Sequence, residues 1–126
     1  MLSRLYISNY ALIDRLEIDF KEGLTIITGE TGAGKSILLG ALSLIMGERA
    51  DIKVMRDSGS KTIVEATFNI AGYHLDRLFA EADVDYDEQE CILRREIAPS
   101  GRTRAFINDT PVALKLRLGK KHIAVL

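Results

Sequence analysis

The sequence predicts an α/β fold, with a mixed sheet that has antiparallel strands at its N-terminal side and a helix after a glycine-rich loop. Charged and apolar residues alternate cleanly over 15–20, as they do in a strand with one buried face. The apolar run over 24–28 is typical of a strand buried on both faces in a parallel sheet. The stretch over 36–46 has apolar residues on nearly every side, which predicts a helix buried all round.

The N-terminal strands precede the glycine-rich loop. Leu5 and Ile7 mark the first strand, and Asn9-Tyr10 is predicted to form the bend that ends it. In the second strand, over 15–20, successive side chains point to opposite faces. The simplest arrangement of these two strands is antiparallel.

The remainder of the chain alternates short elements with turns. Gly47 suits the end of the helix, because glycine readily takes the left-handed conformation that terminates many helices. The length of 126 residues suits one domain or part of one. The later elements follow from the spacing of apolar residues: a strand over 62–70, a helix over 75–82, hairpin strands over 91–97 and 104–108, and a helix over 111–114 that Pro111 opens.

Composition limits the functions and the location that the protein can have. An apolar share of 47% allows a sizeable core, and a formal net charge of −1 gives no overall basic signal for nucleic acid or acidic membranes. Cys91, the single cysteine, is predicted to be a small buried hydrophobe. His74 and His122 lack metal-ligand spacing and are expected at the surface. Since neither a signal-peptide core nor a membrane-length apolar run is found, a cytoplasmic location without membrane contact is expected.

Charge is uneven along the sequence. Arg94, Arg95, Arg102 and Arg104 lie in the predicted hairpin. They form either a DNA-binding patch or charges on the solvent face of the hairpin, and the second interpretation is favoured because half-solvated strands commonly carry charge. An acidic run that precedes them is predicted to be a solvated loop, and it comprises Glu81, Asp83, Asp85, Asp87, Glu88 and Glu90.

The glycine-rich loop meets the phosphate-binding pattern G-x-x-x-x-G-K-[ST], known as Walker A, in full. A buried strand before it and an apolar helix after it supply the context that the motif requires, so a chance glycine-rich turn is the weaker interpretation. The sequence therefore predicts a P-loop NTPase. The eight residues of the motif are Gly29, Glu30, Thr31, Gly32, Ala33, Gly34, Lys35 and Ser36.

Each residue type in this loop has a chemical reason. The glycines permit backbone angles that let successive N–H groups point inward and surround phosphate oxygens. The N-terminal end of the helix adds its positive dipole at the same place. Lys35 is expected to reach the β- and γ-phosphates, and Ser36 to ligate Mg²⁺ through its hydroxyl. ATP with Mg²⁺ is the expected ligand.

A complete catalytic site is not expected in this chain. Hydrolysis also needs a Walker B acid that holds Mg²⁺ and a residue that orients the attacking water. Walker B would appear as four apolar residues followed by Asp. Val84-Asp85 is too short for this pattern, and the apolar run over 123–126 meets no acid. Little hydrolysis is therefore expected of the chain by itself.

The order of these motifs resembles the N-terminal lobe of an ABC-type ATPase head of the SMC, RecF and RecN group. Walker A alone would indicate only the superfamily, but the flanking blocks resemble the RecN family of bacterial DNA-repair proteins. The resemblance extends from Met1 to about Leu114. The blocks are 9–13 (NYALI), 47–51 (GERAD), 93–97 (LRREI) and 100–112 (SGRTRAFINDTPV).

The resemblance implies a parent ATPase of which residues 1–126 are the N-terminal head lobe. ATP would be sandwiched between two heads in a homodimer, and the Q-loop glutamine, signature motif and Walker B acid would lie C-terminal to this lobe. The implied role is recombinational repair of DNA double-strand breaks, with DNA ends as the partner of the full protein. The implied location is the cytoplasm, in association with the nucleoid.

Several details stay open. Related heads place an arginine near phosphate or DNA in the segment of Arg49 and Arg56, although surface salt bridges are the favoured interpretation for both. Residues 115–126 depart from the family pattern. The alternative functions are a small P-loop kinase, against which the two strands before the loop argue, and a non-catalytic module for dimerisation or DNA binding.

Overall fold

The computed structural model describes residues 2–11, 13–20, 32–48 and 59–112, and of residues 32–36 it describes the backbone only. The predicted strand over 24–28 lies outside these residues. The described elements, in chain order, are strands β1 (Leu2–Tyr10) and β2 (Ile13–Asp19), helix α1 (Gly32–Ile45), strand β3 (Thr62–Asn69), helix α2 (Asp76–Glu81), and strands β4 (Glu90–Ile97), β5 (Thr103–Ile107) and β6 (Thr110–Val112).

All six described strands belong to one sheet, in the order β2-β1-β3-β4-β5-β6. Each neighbouring pair among them is antiparallel. The antiparallel pairing predicted for the first two strands is confirmed, since Leu5 lies opposite Ile18 and Ile7 opposite Leu16. β3 pairs with the other edge of β1, so β1 lies between β2 and β3, and α1 lies between β2 and β3 in the order of the described elements.

One face of the sheet is apolar and packs against α1. Leu5 and Ile7 of β1 lie opposite Ala66 and Val64 of β3, and all four side chains are at most 1% exposed. Ala41 of α1 is buried in the same cluster. Removing such side chains from water is the main driving force for this packing, at about 1.5–3 kcal/mol for each large one. The apolar alternation of the strands therefore determines on which side of the sheet α1 lies.

Helix α1 is longer and less enclosed than the sequence predicts. It begins at Gly32 rather than at residue 36, because the second half of the glycine-rich loop already has helical conformation. Leu39, on the side of α1 away from the sheet, is 66% exposed. The prediction that α1 is buried all round is therefore wrong for the described structure, in which the sheet covers one side of the helix.

The β5–β6 hairpin corrects the prediction for the C-terminal part. Pro111 does not open a helix but lies in β6, opposite Phe106 of β5. Asn108 and Asp109 between the strands both have positive φ, 50° and 68°, as a type I′ turn requires. Proline is tolerated there because β6 is the last strand of the described sheet, and an edge position needs no ladder bond from the missing N–H.

The acidic run extends from the last residue of α2 to the first residue of β4, with the predicted loop between them, and all six of its side chains are exposed. Asp87 shapes the loop, because its carboxylate accepts backbone N–H groups two and three residues further on. Phe79 of α2 is buried and packs on Tyr86, with ring centroids 5.2 Å apart. Cys91 is buried in β4, as predicted, and burial raises the pKa of its thiol to about 12.

Candidate phosphate-binding site

The second half of the Walker A motif forms the start of α1. The first four N–H groups of an α-helix have no acceptor within the helix, so these amides need an external partner. Gly32, Ala33, Gly34, Lys35 and Ser36 are the motif residues in α1. The other predicted site residues, Gly29, Glu30, Thr31, Arg49 and Arg56, lie outside the described residues.

The start of α1 suits an anion. A helix carries about +0.5 of an elementary charge at its N-terminus, from its aligned peptide dipoles. The first turn of α1 contains no acidic residue that would oppose a negative ligand. Gly32 and Gly34 have no side chains that would obstruct a ligand at the backbone amides. These features together fit the oxygen atoms of a phosphate group.

A close contact positions the middle of α1 against the sheet. Gly40 lies so near the end of β1 that a Cβ at this position would collide with the hydroxyl of Tyr10. Ala41, the next residue, is buried in the same interface. Tyr10 is also buried, which raises the pKa of its phenol. The absence of a side chain at residue 40 therefore leaves room for the Tyr10 hydroxyl between the helix and the sheet.

The C-terminal end of α1 is a Schellman motif, which confirms the stop predicted at Gly47. The N–H of Gly47 donates to the carbonyl oxygen of Leu44 at 3.0 Å, and the N–H of Glu48 donates to that of Ser43 at 3.1 Å. Gly47 has a φ of 99°, in the region that favours glycine. The end of the helix is therefore closed by its own backbone.

Arg95 of β4 adds a buried cation at this same end. Its Nη1 donates to the carbonyl oxygens of Leu44 and Glu48, each at 2.9 Å. Its Nε donates to Oγ1 of Thr103 on β5 at 2.8 Å. Arg95 is only 3% exposed. A positive charge at the C-terminus of a helix is favourable for the helix dipole, so the guanidinium both satisfies and stabilises the end of α1.

The four hairpin arginines do not form one patch. Arg95 lies on the buried face of β4 with Cys91 and Ile97, because residues two apart on a strand point to the same side. The prediction of a solvent-facing charge is therefore wrong for Arg95, and so is a DNA-binding patch made of all four. Arg102 and Arg104 are exposed, as predicted.

Arg94 lies on the opposite face of β4, where it has partners on several strands. Its guanidinium carbon is 4.2 Å from the ring centroid of Phe106, a cation–π contact. Arg104 approaches the same ring at 5.4 Å. Three carboxylates surround Arg94, those of Glu65 at 3.8 Å, Glu96 at 3.1 Å and Asp109 at 3.1 Å. These acidic neighbours offset the positive charge that a nucleic acid would need at this position.

A second buried polar side chain, Asn9, holds the chain at the start of β3. Its Nδ2 donates to the carbonyl oxygens of Ser60 at 3.1 Å and Lys61 at 3.5 Å. The hydroxyl of Thr62 donates to the carbonyl oxygen of Asn9 at 2.6 Å. The bend predicted at Asn9-Tyr10 is present as a positive φ of 56° at Asn9, although β1 continues to Tyr10.

Among the described residues, no group of three or more His, Cys, Asp and Glu side chains is arranged to hold a metal ion. The hydroxyl of Ser36, the predicted Mg²⁺ ligand, lies outside the described side chains. His74 is exposed, as predicted, and His122 lies outside the described residues. Over the part of the chain that is described, no helix is long and apolar enough to cross a membrane.

Arg95 and Gly40 both contribute to the placement of α1, and neither is among the residues predicted from the sequence to do so. A signal for Arg95 was present, because the period of a strand places it on the face of Cys91 and Ile97. A signal for Gly40 was its position inside a helix, where glycine is unfavourable unless a close approach requires it. Both signals concern the packing of α1 rather than the motif itself.

The chain matches the family model described as AAA domain over residues 4–114. It is 44% identical over 114 residues to the DNA repair protein RecN of Vibrio cholerae, with 90% of this chain and 21% of the relative covered. RecN of Bacillus subtilis is 36% identical over 115 residues, with coverages of 90% and 20%. The chain thus spans only 20–21% of the length of these relatives.

Solved structures show the same fold. One structure comes from work on the ATP-driven dimerisation and DNA-stimulated activation of SMC ATPases. It superposes with a TM-score of 0.68 at 23% identity, and the match covers 91% of this chain and 74% of the other. The recombination mediator protein RecF superposes with a TM-score of 0.71 at 18% identity, covering 94% and 30%. These similarities confirm the predicted fold class, a partial P-loop ATPase head of the SMC and RecF kind.

Proposed function

We propose that this chain, which belongs to the AAA domain family and aligns with RecN proteins over most of its length, is the ATP-binding lobe of a RecN-type DNA-repair ATPase. The observation that carries the proposal is the location of the Walker A motif. Its second half forms the first turns of a helix that packs on the sheet and is held at its other end by Arg95.

Within this lobe, the residues of the motif would hold the phosphates. The amides of residues 29–36 would surround the phosphate oxygens, with Lys35 as the cation at the β- and γ-phosphates and the hydroxyl of Ser36 on Mg²⁺. The bound Mg²⁺ would neutralise part of the triphosphate charge. The described start of α1 supports this assignment, since it provides amide donors and no opposing carboxylate.

Hydrolysis, DNA repair and dimerisation are proposed for the full-length protein. The chain has no Walker B pattern after the loop, so we expect it to bind ATP with little turnover. The RecN relatives are named DNA repair proteins, and the SMC relative is described as undergoing ATP-driven dimerisation. By analogy, we propose that two such heads enclose ATP in a homodimer that acts on DNA double-strand ends in the cytoplasm, at the nucleoid.

The alternative functions are not favoured. In a small P-loop kinase the phosphate-loop strand usually comes first, whereas here β1 and β2 precede the loop and form part of the same sheet as β3. A non-catalytic DNA-binding module would depend on the hairpin arginines. Arg95 is buried and Arg94 is surrounded by carboxylates, so that patch is not available as a unit.

Titration calorimetry with Mg-ATP tests the assignment. Lys35→Ala should weaken binding about 10- to 150-fold, because a charge-assisted hydrogen bond contributes about 1.5–3 kcal/mol. Lys61→Ala is the matched control, since Lys61 is an exposed lysine that pairs with Glu96 at 3.2 Å. It should bind Mg-ATP like the unmodified chain. Equal affinities for the unmodified chain and Lys35→Ala would defeat the assignment.

The same titration decides the roles of Arg49 and Arg56. If either arginine contacts phosphate, its replacement by Ala should weaken the binding of Mg-ATP. If either contacts DNA, the loss should appear instead in DNA binding by the full-length protein. Unchanged binding in both measurements would leave surface salt bridges as their role.

A further inference from the structure

We propose that Arg95 is a positioning residue for nucleotide binding, which acts from the end of α1 opposite to the phosphates. By holding the C-terminal end of the helix, it sets where the first turn lies relative to the sheet. The proposal rests on the proposed ATP site, because its effect is exerted on that site through the helix.

Three elements meet at the Arg95 guanidinium. The side chain comes from β4, its Nη1 binds two carbonyl oxygens at the end of α1, and its Nε binds Thr103 of β5. Leu44 lies in the last turn of the helix, and Glu48 follows the glycine that ends it. Because the two carbonyl oxygens bind one nitrogen, α1 cannot slide or rotate without breaking at least one of these bonds.

Packing alone does not account for an arginine here. Buried charges need partners, and replacing buried ionic groups by apolar residues of similar volume is often neutral for stability. A methionine would fill the same space without the cost of removing a charge from water. What an apolar residue cannot supply is a set of directional bonds, and in this structure those bonds determine the position of the helix end.

Because α1 packs closely on the sheet at Gly40, a displacement of its C-terminal end also displaces its N-terminal end. Gly40 packs closely on Tyr10 and is taken as the point about which α1 tilts; it lies eight residues from Gly32 but four residues from Leu44. For a rigid helix, a shift of about 1 Å at Leu44 therefore becomes about 2 Å at Gly32. A displacement of this size would take amide donors out of hydrogen-bond range of the phosphate oxygens, because N–H···O bonds have donor–acceptor distances of about 2.7–3.2 Å. The phosphate-binding end is thus sensitive to the bonds of Arg95.

Direct attraction between Arg95 and the phosphates is a minor effect. A helix of 14 residues spans roughly 20 Å, and charges at that distance are largely screened at physiological ionic strength, where the Debye length is about 8 Å. The proposed effect is therefore geometric. It predicts that binding depends on the bonds that Arg95 makes, and only weakly on its charge.

The test compares Mg-ATP affinities of three variants of the 126-residue chain by calorimetry. Arg95→Met should weaken binding about fivefold to 100-fold, because release of the end of α1 displaces amides that donate to the phosphates. Arg95→Lys should lie between Arg95→Met and the unmodified chain, since an ammonium can restore part of the hydrogen bonding. Thr103→Val, which removes the acceptor that orients the guanidinium, should cause a smaller loss in the same direction. In each variant, the affinity for tripolyphosphate should fall by the same factor as the affinity for Mg-ATP.

The control is Phe79→Leu, a core substitution in α2 at a residue that packs on Tyr86 and makes none of the Arg95 hydrogen bonds. Urea denaturation identifies conditions in which all variants are folded, and under those conditions Phe79→Leu should bind Mg-ATP normally. Unchanged affinity of Arg95→Met, or an equal loss in Phe79→Leu, would overturn the proposal. If Arg95→Met does not fold, the Mg-ATP affinities of Arg95→Lys and Thr103→Val decide the question, and unchanged affinity in both variants would overturn the proposal. Failure of the unmodified chain to bind Mg-ATP would instead overturn the proposed function.

Discussion

The two faces of the sheet use charge in different ways. On the face that packs against α1, Arg95 is buried and bonds to the helix end and to Thr103. On the opposite face, Arg94 and Arg4 lie in partly or largely exposed ion pairs. Arg94 and Arg95 are neighbours of the same residue type, and only the alternation of a strand separates them. Side-chain direction therefore decides which arginine positions the helix.

The difference has an energetic consequence. Exposed ion pairs contribute little to stability, because water and salt screen them and because ordering two long side chains is entropically unfavourable. Water does not screen the contacts of buried groups. Truncating a buried apolar group leaves a cavity, and removing a buried hydrogen-bond partner leaves an unsatisfied polar group, so both changes lower stability. Substitutions on the face toward α1 should thus have larger effects than those on the opposite face.

The largest expected effect is that of Leu5→Ala, on the face toward α1. Leu5 is 1% exposed and lies between Ile18 and Ala66 on the neighbouring strands. Its truncation should lower the free energy of unfolding by about 2–5 kcal/mol, measured by urea denaturation. Arg15→Ala, on the exposed side of β2, should change it by no more than about 0.5 kcal/mol. Equal losses for the two variants would contradict the distinction between the faces.

Gly40→Ala should have the next largest effect, because the new methyl group meets the hydroxyl of Tyr10. Overpacking of this kind costs about 1–3 kcal/mol, against about 1 kcal/mol gained from the better helix propensity of alanine. In a Tyr10→Phe background the collision is removed, and Gly40→Ala should become neutral or stabilising. A double-mutant cycle in urea measures the coupling, and strict additivity would show that the two positions do not meet.

Burial of Cys91 makes the stability of the fold depend on pH. Its thiol has a pKa of about 12 in the folded chain against an ordinary value of 9.0, because burial disfavours the thiolate. Below pH 9 the thiol is neutral in both states; above it, ionisation favours the unfolded chain until the folded pKa is reached. Stability should therefore fall by up to about 1.4 kcal/mol per pH unit more steeply than in Cys91→Ala. Parallel pH profiles for the two proteins would contradict this burial.

The smallest effect is expected on the opposite face, for Asp19→Asn. Asp19 pairs with Arg4 at 3.1 Å, and both side chains are more than half exposed. The pair raises the pKa of Arg4, first through the hydrogen bond from its Nε to Asp19, but the arginine stays charged in either case. The urea midpoint of the variant should match that of the unmodified chain in 1 M salt. A clear loss of stability at that salt concentration would show that this face also contributes through its ion pairs.

Local sequence patterns predict much of this molecule. The strands over 62–70 and 91–97, the glycine stop at residue 47 and the burial of Cys91 depend on short-range periodicity or residue chemistry, and the structure confirms them. The motif depends on residue chemistry in the same way, and its role in phosphate binding stays a prediction. The hydrogen bonds of Arg95 require β4 to lie beside the end of α1, and these two elements are far apart in sequence. Pro111 likewise became a strand residue through its pairing with β5, which its local context does not reveal.

Glycine amides offer the most direct test of phosphate binding at the start of α1. The chain has 10 glycines, so selective ¹⁵N labelling gives an NMR spectrum that can be assigned by substitution. On addition of Mg-ATP, the amide signals of Gly29, Gly32 and Gly34 should shift, whereas Gly72 and Gly101, in distant turns, should not move. Shifts confined to other glycines, or no shifts at nucleotide concentrations that saturate related ATPases, would contradict the assignment of the ATP site to this helix.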